Sequence, residues 1–143
     1  SILIMRDALQ GLRRFDEFSQ SLGIAPNMLT RRLNTLVEEG LLERRRYSER
    51  PPRYEYVPTA VGEDFKIVIM AFIAWGNRHY TPEGESLQIV DTQTQHPIEV
   101  VMMDAVAGNV VPIEQCTVKA GPAASAGMLE RLALLADRQL EDA

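Results

Sequence analysis

Residues 26–40 read PNMLTRRLNTLVEEG and residues 41–59 read LLERRRYSERPPRYEYVPT, and together these two runs set the architecture. Pro26 suits the first turn of a helix, where its missing N–H has no intrahelical partner, and Gly40 is a natural C-terminal stop. The spacing therefore predicts a helix over roughly 26–39. Leu29, Leu33, Leu36 and Val37 fall on one side of it, which leaves Asn27, Met28, Arg31, Asn34 and Thr35 on the other. In the second run Leu42, Arg44 and Arg46 alternate with Glu43, Arg45 and Tyr47. Tyr54, Tyr56 and Pro58 alternate in the same way with Glu55, Val57 and Thr59. Two such β-favouring runs around a Ser48-to-Pro52 turn predict a hairpin, and Pro51 and Pro52 stiffen its basic tip while removing edge N–H donors.

Upstream, Ile2, Met5, Leu9 and Leu12 lie on one helical stripe, and Gly11 sits near its expected end. The sequence opens at Ser1 inside an apolar run, so residues preceding it are expected. Asp16 is expected to cap a short second helix bearing Phe18 and Leu22, closed by Gly23. Downstream, Thr59 should cap a long helix from about Ala60 to His79. Phe65, Val68, Ile69, Phe72 and Ile73 give this helix an apolar face, which Ile67, Met70, Ala71 and Ala74 widen. A helix apolar over so much of its circumference needs covering on several sides, and part of that surface is expected to meet a second subunit.

The segment TPEGE at 81–85 marks a boundary in composition. Beyond it LQIV, IEVVMMD and VVPIEQCTVK look like three strands of a small meander. Ser125 is placed to cap a final helix with Met128, Leu129, Leu132, Leu135 and Ala136 on its apolar side. The expected class is α+β: a winged helix-turn-helix domain with a long dimerisation helix over 1–80. A small antiparallel β accessory domain with a C-terminal helix follows over 81–143.

The chain has 143 residues, 45% of them hydrophobic and 24% charged, with a formal net charge of −5. No stretch approaches the roughly 20 apolar residues of a membrane span, and no secretory signal opens the chain, so a cytoplasmic location is expected. The negative total conceals an asymmetry. Residues 1–80 hold 12 of the 15 basic side chains against 10 acidic ones, whereas residues 81–143 hold 3 basic against 10 acidic. Seven arginines fall between Arg31 and Arg53. At 0.1 M salt, surface charges beyond about 10 Å are screened, so the local field governs the approach to a polyanion. The same arginines would also suit a solvated face paired with Glu38, Glu39, Glu43 and Glu49.

Three helices and a basic hairpin describe a winged helix-turn-helix. A major groove about 12 Å wide admits one helix, polar outside and anchored within. Arg31 is suited to guanine, Asn27 or Asn34 to adenine, and Met28 to a thymine methyl. Thr35 shares their face, and Arg32 and Thr30 lie on its flanks, better placed for phosphate. Arg44, Arg45, Arg46, Arg50 and Arg53 would follow the backbone or enter the minor groove.

Residues 2–65 resemble the HxlR-type winged-helix transcriptional regulators of bacteria, relatives of the MarR-like repressors. The likeness rests on G-x-R-R-F-x-E-F, M-L-T-x-R-L-x-x-L-x-x-x-G-L and P-P-R-x-E-Y-x-x-T-x-x-G. It implies a homodimeric repressor of operator DNA, often responsive to small molecules or electrophiles. Its dimer interface would lie on the first and fourth helices, here Ile2, Met5, Leu9, Phe65, Val68, Ile69, Phe72 and Ile73. Two departures stand out. Ala25 with Pro26 replaces the usual serine, a cap worth about 1 kcal/mol. The sequence from Ser1 on shows no cysteine ahead of the first helix, where thiol-sensing members carry one, which leaves that position open to residues before Ser1.

Cys116 reads as a buried, inert thiol on a strand. His79 and His96 lack zinc spacing, no cofactor motif is present, and no catalytic motif suggests an enzyme. Phe72, Trp75 and Tyr80 are candidates to line a pocket for an unknown small-molecule effector. The competing reading is a protein-interaction or ligand-sensing module that kept the winged fold without operator binding.

Overall fold

The computed structural model describes residues 1–142, and the chain divides into two compact units, Ser1–Val100 and Val101–Ala143. The first unit runs α1 (Ile2–Leu9), α2 (Phe15–Leu22), α3 (Pro26–Glu38), β1 (Leu42–Glu49), β2 (Pro52–Pro58), α4 (Ala60–Asp64) and α5 (Lys66–His79). Its core is Ile4, Met5, Ala8, Phe18, Leu29, Leu33, Leu36, Leu42 and Tyr56, ringed by half-buried side chains including Leu12, Phe15, Val37 and Phe65. Phe18, Leu29 and Leu33 are fully enclosed. The leucine spacing of the third helix thus does what its periodicity requires.

The first helix is rotated from its expected stripe. Ile4, Met5 and Ala8 face inward, Leu9 is half-buried, and Ile2 lies at the surface. Four consecutive apolar residues, ILIM, leave the spacing unable to choose a face, and tertiary packing makes the choice. Asp7 is buried with them. It accepts bonds from Arg6 Nε at 2.9 Å and from Ser21 Oγ at 2.7 Å, which ties α1 to the end of α2. A buried carboxylate with neither partner would be costly.

Helix α2 starts two residues earlier than a cap at Asp16 would allow, with Arg14 as its cap residue. Glu17 reaches back to accept from the backbone N–H groups of Arg14 at 2.8 Å and Arg13 at 3.1 Å. These bonds, Arg14's first and Arg13's second, hold its carboxyl below the ordinary glutamate value. Gly23 ends α2 in the left-handed region at φ 62°, where its N–H bonds Ser19 O at 2.9 Å. This turn redirects the chain into α3, which begins at Pro26 without any side-chain cap from Ala25.

Strands β1 and β2 pair antiparallel from Leu42↔Pro58 to Glu49↔Pro52, with a bulge between Arg46 and Ser48. Thr59 then caps α4 by accepting from Gly62 N–H at 3.1 Å. Gly62 is packed against the Leu41 carbonyl so closely that no Cβ would fit. The long helix expected from Ala60 to His79 is in fact two. A tight Phe65 N–H to Gly62 O bond of 3.1 Å closes α4 before α5 begins.

Residues 81–100 belong to the first unit by contact. Asn77 on α5 donates to Glu85 Oε2 at 3.1 Å and to Leu87 O at 2.8 Å, and an isolated bridge joins Val90 to Pro97. The second unit holds a hairpin of β3 (Met103–Asp104) and β4 (Asn109–Val110), a 3-10 turn at Ile113–Gln115 and α6 (Ala126–Glu141). This replaces the three-strand meander. Val111 N–H still bonds Met102 O at 3.0 Å, and the chain then turns at Pro112 into the 3-10 turn. Cys116 follows the 3-10 turn and is exposed, not buried on a strand. Ser125 caps α6 as its position suggests, accepting from Met128 N–H at 3.1 Å.

Candidate nucleic-acid interface

Anchoring α3 through Leu29, Leu33 and Leu36 leaves its opposite side to solvent. Asn27, Met28, Thr30, Arg31, Arg32, Asn34 and Thr35 are all exposed. Two hydroxyls are engaged within the helix: Thr30 Oγ1 donates to Pro26 O and Thr35 Oγ1 to Arg31 O, each at 3.0 Å. They still have lone pairs to offer but no free donor. Arg32 leans back to Ser1 Oγ at 3.5 Å. Arg31 has no such tether, and its five N–H donors are free to form the bidentate pair that reads guanine.

The hairpin contributes Arg44, Arg45, Arg46, Arg50 and Arg53, all exposed. Their circumstances differ. Among the described residues only two ion pairs occur, Arg6 with Asp7 and Arg45 with Glu43, the latter at 3.3 Å. Arg45 therefore spends its charge locally, whereas Arg31, Arg44, Arg46, Arg50 and Arg53 have no carboxylate partner. Arg44 and Arg46 instead lie over the ring of Tyr54, and Arg14 lies over Tyr47. Neither tyrosine nor Arg14 stood out in the sequence. Cross-strand register is the signal that finds Tyr54, because Arg46 and Tyr54 are direct partners.

The residues expected at a subunit interface divide three ways. Met5 and Ile69 are buried within their own unit, Leu9, Phe65 and Ile73 are half-buried, and Ile2, Val68 and Phe72 are exposed. Val68, Ala71, Phe72 and Trp75 line an open apolar depression of about 280 Å³, with Phe72 50% and Trp75 48% exposed. Tyr80 does not line it but meets Trp75 edge-on, with ring centres 5.1 Å apart. A second groove of about 380 Å³ lies on the next face of α5, between Asn77, Arg78 and the Ile89–Val100 stretch. Among the described residues no helix is long and apolar enough to cross a membrane.

The profile of one family, described as HxlR-like helix-turn-helix, matches residues 1–84, more than half of the chain. Rv3095 of Mycobacterium tuberculosis, named an uncharacterized HTH-type transcriptional regulator, is 39% identical over 90 residues, covering 62% of this chain and 57% of that protein. This chain thus spans little more than half the length of the curated relatives it matches. Among solved structures, PA1374 of Pseudomonas aeruginosa, described as a candidate transcription factor, is similar with a TM-score of 0.72. It is 67% identical, over 92% of this chain and 90% of that one. PA1607, described in the same terms, has a TM-score of 0.74 at 32% identity, with 85% of each chain covered.

Proposed function

The chain belongs to the HxlR-like helix-turn-helix family, and from that premise we propose that it is a sequence-specific DNA-binding transcriptional regulator acting as a homodimer. One observation carries the reading. An exposed polar face on α3, centred on the untethered Arg31, adjoins a hairpin whose arginines are mostly free of carboxylates. A helix of this kind matches the width of a major groove, and the wing arginines match the flanking phosphates.

The apolar strip of Val68, Phe72 and Trp75 supports self-association, since three large side chains in one exposed row favour a partner over water. Two-fold pairing through α5 would set two copies of α3 into successive major grooves, about 34–36 Å apart. Bound across a promoter, such a dimer would repress by obstruction. Any effector would act by favouring one dimer geometry over another, because equal affinity for both shifts nothing.

Binding to short genomic duplexes across a salt titration tests this. The expected result is a log–log slope of about −0.9 per phosphate neutralised, with sequence preference above the non-specific background. Arg31→Ala should cost about 1–3 kcal/mol on preferred sites and relax specificity, whereas Arg50→Ala should weaken all sequences alike. Salt-independent binding, or none, would favour an interaction module that kept the fold without operator recognition.

A further inference from the structure

The wing and the cap of α2 share a feature that α3 lacks, in that Arg44, Arg46 and Arg14 are stacked on tyrosines. The Arg44 guanidinium carbon lies 4.5 Å from the centre of the Tyr54 ring and that of Arg46 lies 5.6 Å away. Arg46 also donates from Nη2 to the Tyr54 hydroxyl at 3.1 Å. On α2, Arg14 sits 4.5 Å over the ring of Tyr47. The hairpin register accounts for both stacks. Arg44 and Arg46 are two residues apart and so share a face with Tyr54, the direct partner of Arg46. Tyr47 is the extra residue at the bulge between Arg46 and Ser48. Arg14, Tyr47, Arg53, Tyr54 and Asp16 line one groove of about 270 Å³ between α2 and the wing.

We infer that Tyr54 and Tyr47 are positioning residues for a second phosphate grip, in which Arg44 and Arg46 on the wing and Arg14 on α2 hold the DNA backbone beside the stretch read by α3. The inference rests on the DNA-binding reading above and adds to it three residues, Arg14, Tyr47 and Tyr54. Stacking occupies the face of a guanidinium and leaves its in-plane N–H donors for phosphate, all of them on Arg44 and all but the one given to Tyr54 on Arg46, whereas a carboxylate partner consumes them. Arg45, which lies between Arg44 and Arg46 on the same strand and pairs with Glu43, is the contrasting case. A guanidinium already held against a ring also has less rotamer freedom to lose when phosphate arrives. The Arg46 bond, the main cause, holds the Tyr54 phenol below its ordinary value.

A double-mutant cycle on the full chain tests this, read as affinity for a mixed-sequence duplex of about 30 base pairs across a salt titration. Phosphate contacts carry no sequence information, so an arbitrary duplex reports them. Replacing Arg44 and Arg46 together by Gln should flatten the salt slope by about 2 per subunit, and Arg14→Gln should flatten it by about 1. Tyr54→Leu keeps every charge and should weaken binding about 3–10-fold, while Tyr54→Phe, which keeps the ring, should weaken it less than about 3-fold. In the background lacking Arg44 and Arg46, Tyr54→Leu should have no further effect.

A tyrosine serving only the fold would weaken binding equally in both backgrounds. That equal loss, or unchanged slopes in the arginine variants, overturns the inference. If Tyr54→Leu unfolds early in a thermal melt, the Tyr47→Leu and Arg14→Gln pair supplies the same cycle. A wild-type protein that binds no duplex overturns the functional reading and this grip together. A wild type that binds while the arginine variants match its slope overturns the grip alone.

Discussion

Helices α3 and α5 have nearly the same length, 13 and 14 residues, and each buries one side in the first unit. Their outward sides are opposites. Helix α3 shows Asn27, Arg31, Asn34 and Thr35 to solvent, while α5 shows Ile67, Val68, Phe72 and Trp75. The inner periodicity of a helix tells where it packs, and its outer chemistry tells what it meets. A polyanion suits the first surface and an apolar partner the second, so one small unit presents two sites with different physics.

The largest effect should come from removing what the two helices have in common, their anchoring. Leu33→Ala in the sealed core beneath α3 should cost about 2–5 kcal/mol in denaturant unfolding. A cost below about 1 kcal/mol would mean that α3 is not held by that core.

The contrast itself is probed by a charge on the α5 strip. Phe72 is half-exposed in the single chain, so Phe72→Glu should change the unfolding stability of the monomer, followed at dilutions where the wild type has dissociated, by no more than about 0.5 kcal/mol. It should weaken self-association by at least about 2 kcal/mol, as expected at a packed interface centre, when followed by sedimentation against concentration. Unchanged association would show that α5 does not pair subunits.

A smaller effect comes from the segment that delivers the chain into α3. The Glu17 carboxyl is lowered by the backbone bonds of Arg14 and then Arg13, so its folded value lies below the ordinary 4.5. The stability it adds is complete above that pH and is lost as pH falls through the lowered folded value. Unfolding followed from neutral to strongly acidic pH should therefore show wild type and Glu17→Gln differing above 4.5 and converging below it. A gap that widened on acidification would reverse the assignment.

Much of this was legible in the sequence because it is local. The Leu29–Leu33–Leu36 spacing, Pro26 at the start of α3, the alternation of the hairpin, and the caps Thr59 and Ser125 each depend on residues a few positions apart. What escaped depends on partners far along the chain. The inward face of α1 is chosen by a core that ILIM alone cannot specify, and buried Asp7 makes sense only once Ser21 is beside it. The break at Phe65 shows in the Phe65 N–H to Gly62 O turn and carries no glycine or proline to announce it. The tyrosine stacks need the register and its bulge, which alternation alone does not supply. Beyond residue 86, apolar runs without alternation resembled strands, yet only the two-residue strands β3 and β4 form there.

Operator recognition requires α3 and the wing to face a duplex in two symmetric copies, and footprinting on genomic DNA examines that arrangement in one measurement. The expected pattern is two protected half-sites on one side of the helix, with centres about 10 base pairs apart and protection weakened by Arg31→Ala. A single unsymmetric footprint, or protection indifferent to that substitution, would contradict it.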